Sequence, residues 1–215
     1  MIVNDTLTII IAIIIAYLLG SIPFAYIFTR LATGKDIRQL GSGNGGANNV
    51  YREVGIKVAI PVGFCDIAKG TLAVFIGYRL LELPLLKPDI FILLIALAAI
   101  AGHMWSVYLK FRGGNGLSAT FGTLAIIMPW EILIAVGCLL ILMLFTRNLV
   151  LSTNIGLLSV PISAWFIDKS WELVVFAIIV ALMLIVHFIP TARKAVVKAG
   201  NKENLTRELL RKEKR

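Results

Sequence analysis

Long apolar runs separated by short polar breaks dominate the chain, beginning with Leu7–Ile27 and recurring at Ile90–Ala101. A run of about 18 or more apolar residues reads as a membrane span. The pattern predicts spans near residues 6–29, 58–80, 90–109, 116–129, 132–146, 149–167 and 172–190. Several fall short of the ~20 residues of an ordinary spanning helix, which points to a thin region or to tightly packed, partly buried helices. The stretch 116–146 can be read as one long helix, but Pro129 and Glu131 argue for a break. The N-terminal run lacks a basic leader region and a small-residue cleavage site, and it is too long for a signal peptide. It is read as a retained first span.

Composition agrees with this pattern. Of the 215 residues 59% are hydrophobic, and the mean hydropathy is +0.90, against about 45–50% apolar in a soluble domain. The net charge of +9 admits nucleic-acid binding, yet topology explains it first, because Lys and Arg gather in cytoplasmic loops. Seventeen of the 21 Lys and Arg fall after the odd-numbered spans and in the tail, three fall on the other side, and Lys69 lies within a span. The expectation is an all-α integral membrane protein of about seven short transmembrane helices, N-terminus outside and C-terminus cytoplasmic. Residues 1–195 form a single polytopic domain in this reading, and 196–215 a basic cytoplasmic tail. The tail carries Leu205, Leu209 and Leu210 on one face, as a solvated helix end or as a contact for anionic lipid headgroups. No nucleic-acid partner is expected. Cys65 and Cys138 sit in apolar segments without metal-ligand spacing, and no HExxH motif, Walker motif or spaced His pair occurs. Neither a metal nor a cofactor is expected. No internal repeat is visible, which tells against a transporter.

Three stretches depart from the apolar background, all on the side read as cytoplasmic. The first is Gly41-Ser-Gly-Asn-Gly-Gly-Ala-Asn-Asn-Val-Tyr-Arg52. Its glycines let backbone N–H groups turn toward one point. Ser42, Asn44, Asn48 and Asn49 add donors, and Arg52 adds a planar cation suited to phosphate oxygens. The stretch is an anion cradle or a flexible polar loop. The second runs from Gly102 and His103 to Gly113-Gly-Asn115-Gly116. His103 lies inside a span, where an ionisable group faces a cavity or a partner or packs in the core. A helix opening after glycines is a natural anion site, while Lys110 and Arg112 also fit as interfacial anchors. The third runs from His187 to Arg193, at the end of the last span. Asp66 and Lys69, at i, i+3 in one span, share a helix face. They read as a structural ion pair or as an electrostatic element beside the site.

Gly20-Ser-Ile-Pro23, Asp36-Ile-Arg38, the Gly41–Arg52 block, Asp66-x-x-Lys69-Gly70 and the Gly102–Gly116 block together resemble the bacterial acyl-phosphate-dependent glycerol-3-phosphate acyltransferase family. The resemblance covers roughly residues 18–195. It implies seven transmembrane helices and an active site facing the cytoplasm at the plasma membrane. The implied reaction moves a fatty acyl group from acyl phosphate to glycerol 3-phosphate, giving lysophosphatidic acid and phosphate without a metal. The implied partners are these two substrates and membrane lipids, with a monomer expected. By position, Ser42 and Arg52 would bind substrate phosphate, with Asn44 and Asn49 beside them. Gly113, Gly114, Asn115 and Gly116 would form the glycerol-phosphate loop, Arg147 would sit near the phosphate, and His187 and Arg193 belong to the third motif. Ser42, His103 and His187 are the catalytic candidates. Acyl phosphate is already activated, so alignment and charge stabilisation suffice, and no GxSxG elbow occurs. The hydroxyl proton passes to substrate phosphate or to a histidine.

The chain departs from the family pattern at several positions. Gly45 and Asn48 stand where Pro and Thr are usual, Asn115 where Lys is usual, and Pro190 where Asn is usual. Val197 and Ala199 replace a Gly and a Glu, and Val150 and Thr153 replace serines near Arg147. Asn115 can donate hydrogen bonds but supplies no positive charge. These losses also admit a non-catalytic paralogue that binds a lipid precursor or a membrane partner.

Overall fold

The computed structural model describes the backbone of residues 2–199 and the side chains of residues 6–189; the Arg193 side chain and the tail from residue 196 lie outside the described side chains. Every regular element among the described residues is helical. Six helical segments there are long and apolar enough to cross a membrane: Thr6–Thr33, Ile56–Leu80, Ile90–Leu109, Pro129–Thr146, Leu149–Ile167 and Trp171–Ile189. A shorter apolar helix, Leu117–Ile127, stands between the third and fourth of these. The chain divides into two compact units, Met1–Pro129 and Trp130–Arg215.

The first unit opens with α1 (Ile2–Ser21) and α2 (Phe24–Thr33). The sequence pattern reads these as one uninterrupted span, but Pro23 has no N–H to donate and the helix breaks there. Helix α2 ends at Gly34, whose φ of 70° lets its N–H cap the Arg30 carbonyl at 2.9 Å. The short helix α3 (Ala47–Glu53) leads into α4 (Ile56–Leu80), and α5 (Ile90–Met104) and α6 (Leu117–Ile127) complete the unit. Asp89 starts α5 by accepting the Phe91 N–H at 2.9 Å.

Two helix crossings in this unit bring backbone against backbone. A Cβ on Gly102 of α5 would collide with the Tyr17 carbonyl of α1, and one on Gly20 of α1 with the Ala99 carbonyl of α5. Helices α4 and α6 repeat the arrangement, with Gly70 against the Ala119 carbonyl and Gly122 against that of Ile67. The Thr71 hydroxyl donates across that crossing to the Gly122 carbonyl at 2.9 Å. Lipid offers apolar surface as well as any helix does, so close packing of small residues and interhelical hydrogen bonds hold such helices together. A separate apolar cluster of Ala25, Ile37, Val50, Ala59 and Val62 joins α2, α3 and the head of α4. Leu40 and Ala47, which flank the first polar loop, pack against it.

The second unit contains α7 (Pro129–Thr146), α8 (Leu149–Leu157), α9 (Ser159–Ile167) and α10 (Trp171–Ala199). The break expected at Pro129 is present: α6 ends at Ile127 and α7 begins with the proline. Within this unit Gly156 of α8 approaches the Ala135 carbonyl of α7, and Trp165 packs on Trp171 with ring centroids 4.7 Å apart.

Candidate functional site

The first polar stretch folds around one side chain. Asn49, in α3 and 5% exposed, accepts the Ser42 N–H at 3.1 Å on Oδ1. Its Nδ2 lies within reach of the carbonyls of Ile37 (3.3 Å), Leu40 (3.0 Å) and Asn44 (3.0 Å). The amide the sequence offered to a substrate is therefore directed at the loop itself. Gly41 and Gly43, at φ 54° and 75°, supply the left-handed turns that bring Ser42 and Asn44 round Asn49. Ser42 is exposed, and its Oγ receives the Asn44 N–H at 3.4 Å. Arg52 is exposed on α3.

Upstream, Asp36 and Arg38 form a forked ion pair at 2.6–3.1 Å, and Asp36 also caps the short turn Ile37–Gln39. Their hydrogen bonding holds the Asp36 carboxyl below its ordinary range and raises Arg38 above its own. Arg38 reaches on to the Leu109 carbonyl at 3.3 Å and stacks over Tyr26. This pair ties the first loop to the second. The sequence offered a signal for it in the Asp-x-Arg spacing, which served only as a mark of resemblance.

The second loop is built by the main chain. Beyond α5 the turn Val107–Leu109 and two residues at positive φ, Lys110 and Phe111, reverse the backbone. The N–H of Gly113 then donates to the Met104 carbonyl at 3.1 Å, and that of Gly114 to the His103 carbonyl at 3.0 Å. A Cβ on Gly113 would strike the His103 carbonyl, and one on Gly114 would strike His103 Nε2. Gly116, at φ 86°, opens α6. Two further bonds fix the end of α5 against α1: Ser106 Oγ to the Ser21 carbonyl at 2.5 Å, and Tyr17 Oη to the Trp105 carbonyl at 2.7 Å. Neither was singled out from sequence.

The two loops meet. Gly45 N–H donates to the Gly113 carbonyl at 3.3 Å, and Asn44 Nδ2 donates to Asn115 Oδ1. Both junctions use departures from the family pattern. A proline at 45 has no N–H for the first, and a lysine at 115 has no side-chain acceptor for the second.

Beneath the second loop lies a buried polar cluster. Asp66 and Lys69 of α4 pair at 2.8 Å with 1% and 5% side-chain exposure. His103 Nδ1 stands 3.5 Å from the same Asp66 oxygen, Oδ1. Lys69 Nζ also donates to the Ile22 carbonyl at 2.7 Å, at the break between α1 and α2.

The structure thus brings Ser42, Asn44, Asn49, Gly113, Gly114, Asn115, Gly116, His103, Asp66 and Lys69 into one connected set within the first unit, with Arg52 on the helix that follows the first loop. Arg147 and His187 belong to the second unit. Arg147 is exposed at φ 51° in the turn between α7 and α8, where Asn148 caps α8 through Leu151 N–H at 3.1 Å. His187 is half-buried on α10. Among the described residues no group of three or more His, Cys, Asp or Glu is placed to hold a metal ion.

A family model described as glycerol-3-phosphate acyltransferase matches residues 10–197. The chain is 37% identical to glycerol-3-phosphate acyltransferase 1 of Dehalococcoides mccartyi over 199 residues, covering 90% of this chain and 94% of that one. It is 39% identical to glycerol-3-phosphate acyltransferase 2 of the same organism over 209 residues, covering 97% of each. Its fold is similar to that of the integral membrane glycerol 3-phosphate acyltransferase PlsY in two crystal structures. The glycerol 3-phosphate form matches at TM-score 0.79 and 27% identity, covering 88% of this chain and 92% of that one. The lysophosphatidic acid form matches at TM-score 0.75 and 26% identity, covering 96% and 94%.

Proposed function

The chain belongs to the glycerol-3-phosphate acyltransferase family, and from that premise we propose that it transfers a fatty acyl group from acyl phosphate to glycerol 3-phosphate. The products are lysophosphatidic acid and inorganic phosphate. The observation that carries this reading is the junction of the two glycine loops, which brings polar groups of both together. Relatives of known structure in glycerol 3-phosphate and lysophosphatidic acid forms support the acceptor and the product.

In this reading Ser42, Asn44 and Arg52 hold phosphate oxygens, and Asn49 keeps Ser42 and Asn44 in place. Gly113–Gly116 forms the cradle for glycerol phosphate at the head of α6, where helix N–H groups favour an anion. The acceptor hydroxyl attacks the acyl carbonyl carbon, an ester C–O bond forms, and the bond to the phosphate oxygen breaks. Direct transfer needs no covalent enzyme intermediate, because the leaving group is already a good one. The proton goes to an imidazole or to substrate phosphate. The roles of Arg147, His187 and Arg193 as phosphate and third-motif residues rest on the family pattern alone.

Residues 1–195 act as one polytopic domain of seven membrane helices in this proposal. The helix Leu117–Ile127 counts as the seventh, although its 11 residues fall short of the ~20 needed to cross an ordinary bilayer alone. The Lys and Arg bias supports an N-terminus outside, with the tail and both glycine loops at the cytoplasmic face of the plasma membrane. A monomer is sufficient for the chemistry.

The test is phosphate release from a long-chain acyl phosphate by the purified protein, with and without glycerol 3-phosphate. Acceptor-dependent release with lysophosphatidic acid as product is the expected result. Folded protein that binds glycerol 3-phosphate yet releases no phosphate would replace this reading with a non-catalytic one.

A further inference from the structure

Lys110 and Phe111, neither with glycine's freedom, take positive φ in succession, at 53° and 60°. Such backbone persists only where its surroundings over-determine it. Two of the holds are local. Phe111 N–H donates to the Ser106 carbonyl at 2.8 Å, and Arg112 N–H to the Leu109 carbonyl at 3.3 Å. The third comes from far along the chain: Arg38 Nη1 donates to the same Leu109 carbonyl at 3.3 Å. That oxygen has a lone pair for each donor.

Arg38 arrives there already arranged. Asp36 accepts the Arg38 N–H at 2.9 Å, and its carboxylate takes Nε and Nη2 at 2.6–3.1 Å. The Tyr26 ring lies 5.5 Å from the guanidinium carbon, within cation–π range. Nη1 is the side-chain nitrogen that Asp36 leaves over, and it is the one that meets Leu109. A planar guanidinium serves a carboxylate and a carbonyl at once in fixed geometry, whereas an ammonium does not. Arg38 and Leu109 stand 71 residues apart in the chain, and so do Asn44 and Asn115. Residues 38–44 and 109–115 therefore run side by side in the same direction. Arg38 holds the head of this pairing, and the glycine loops meet at its far end, where Gly45 N–H reaches the Gly113 carbonyl at 3.3 Å.

We infer that Arg38 is a positioning residue for the glycine-loop site: fixed by Asp36 and Tyr26, it pins the Leu109 carbonyl and so sets the register of loop two against loop one. Each of its three side-chain nitrogens has a protein partner, so it acts through the loops and not on a phosphate. That this register governs acyl transfer rests on the acyltransferase reading; the strap between Arg38 and Leu109 does not.

Two variants take the strap apart. Arg38→Lys keeps the charge and loses the fork, and Asp36→Asn keeps the guanidinium and loosens its hold. Hydrogen–deuterium exchange on the purified proteins reads the strap without turnover. Both variants are expected to exchange about tenfold or more faster than wild type in segments 41–46 and 106–116, with α4 unchanged. Exchange at the wild-type rate in those segments overturns the strap. In turnover, Arg38→Lys is expected to lower kcat about tenfold or more, with KM for glycerol 3-phosphate within about twofold of wild type. Asp36→Asn is expected to add little in the Arg38→Lys background, because it acts through Arg38. A raised KM with kcat intact would make Arg38 a phosphate ligand, and unchanged kcat and KM would separate the strap from the reaction; either overturns the role. Faster exchange throughout the first unit, or variants that do not fold, would make Arg38 a purely structural residue and overturn it too. Wild-type protein that transfers no acyl group would overturn the function instead, while the exchange still decides the strap.

Discussion

The two glycine loops have similar sequences but are held in different ways. Loop one, residues 41–46, is folded round a side chain: Asn49 binds one N–H and lies within hydrogen-bond reach of three carbonyls. Its glycines at 41 and 43 serve backbone angle. Loop two, residues 113–116, is pressed onto the end of α5 by main-chain hydrogen bonds, and Gly113 and Gly114 serve space, because His103 occupies the volume a Cβ would need. A loop built on one side chain can be dismantled by truncating that residue. A loop built on backbone contact fails only when something is added to it.

The largest expected effect breaks loop two. Gly113→Ala drives a methyl into the His103 carbonyl, which cannot retreat without unwinding the last turn of α5. The expected cost is about 3 kcal/mol or more, read as a lower midpoint of thermal unfolding in detergent, with transfer activity abolished. Next is loop one. Asn49→Ala leaves the Ser42 N–H and the Ile37, Leu40 and Asn44 carbonyls without this partner, at about 2–4 kcal/mol. Asn49→Asp separates the two halves of that job, since it still accepts from Ser42 but donates nothing; it is expected to lose most of the same stability. A stable Asn49→Ala protein with full activity would mean that loop one does not depend on its central side chain.

A smaller effect sharpens the comparison at the junction. Asn115→Lys sacrifices the bond from Asn44 and adds a charge beside the proposed phosphate. A drop of roughly fivefold in KM for glycerol 3-phosphate, about 1 kcal/mol, is expected, and an unchanged or higher KM in folded protein would show that Asn115 does not limit phosphate binding. The smallest effect concerns acid. Asp36 is held below its ordinary range by Arg38, so its contribution to stability is present above its unfolded value of about 3.9 and is lost as pH falls through the lowered folded value. Wild-type stability is expected to lose this contribution only below about pH 4, and Asp36→Asn to remove that part of the acid sensitivity. Unfolding midpoints measured from pH 3 to pH 7 on both proteins check this.

Much of the fold was legible because lipid leaves few alternatives. Backbone in hydrocarbon must be helical or paired, and the apolar runs mark where. The break at Pro129 was readable because the charge of Glu131 interrupts the apolar run beside the proline. That at Pro23 was not, because the apolar run continues through it and hydropathy carries no record of a missing N–H. The polar stretches around Ser42 and Gly113 stood out against the apolar background, but the division of labour within them did not. Asn49 looks in sequence like Asn44, and only its burial at 5% separates a residue that builds the loop from one at its edge. The meeting of Asp66 with His103 depends on the α4 and α5 geometry, which no local pattern encodes. Gly122 was equally silent, and Gly70 entered only as a mark of resemblance, since a close crossing is a property of two helices at once.

The central claim is that the first unit's two loops make one site for the phosphate of glycerol 3-phosphate. Titration of glycerol 3-phosphate into purified wild-type protein and into Arg52→Ala, each shown to be folded, tests it most directly. The expected result is saturable binding to wild type and a loss of about tenfold or more in affinity, at least 1.4 kcal/mol, for the variant. Equal affinities for the two proteins would contradict the claim and move the phosphate elsewhere.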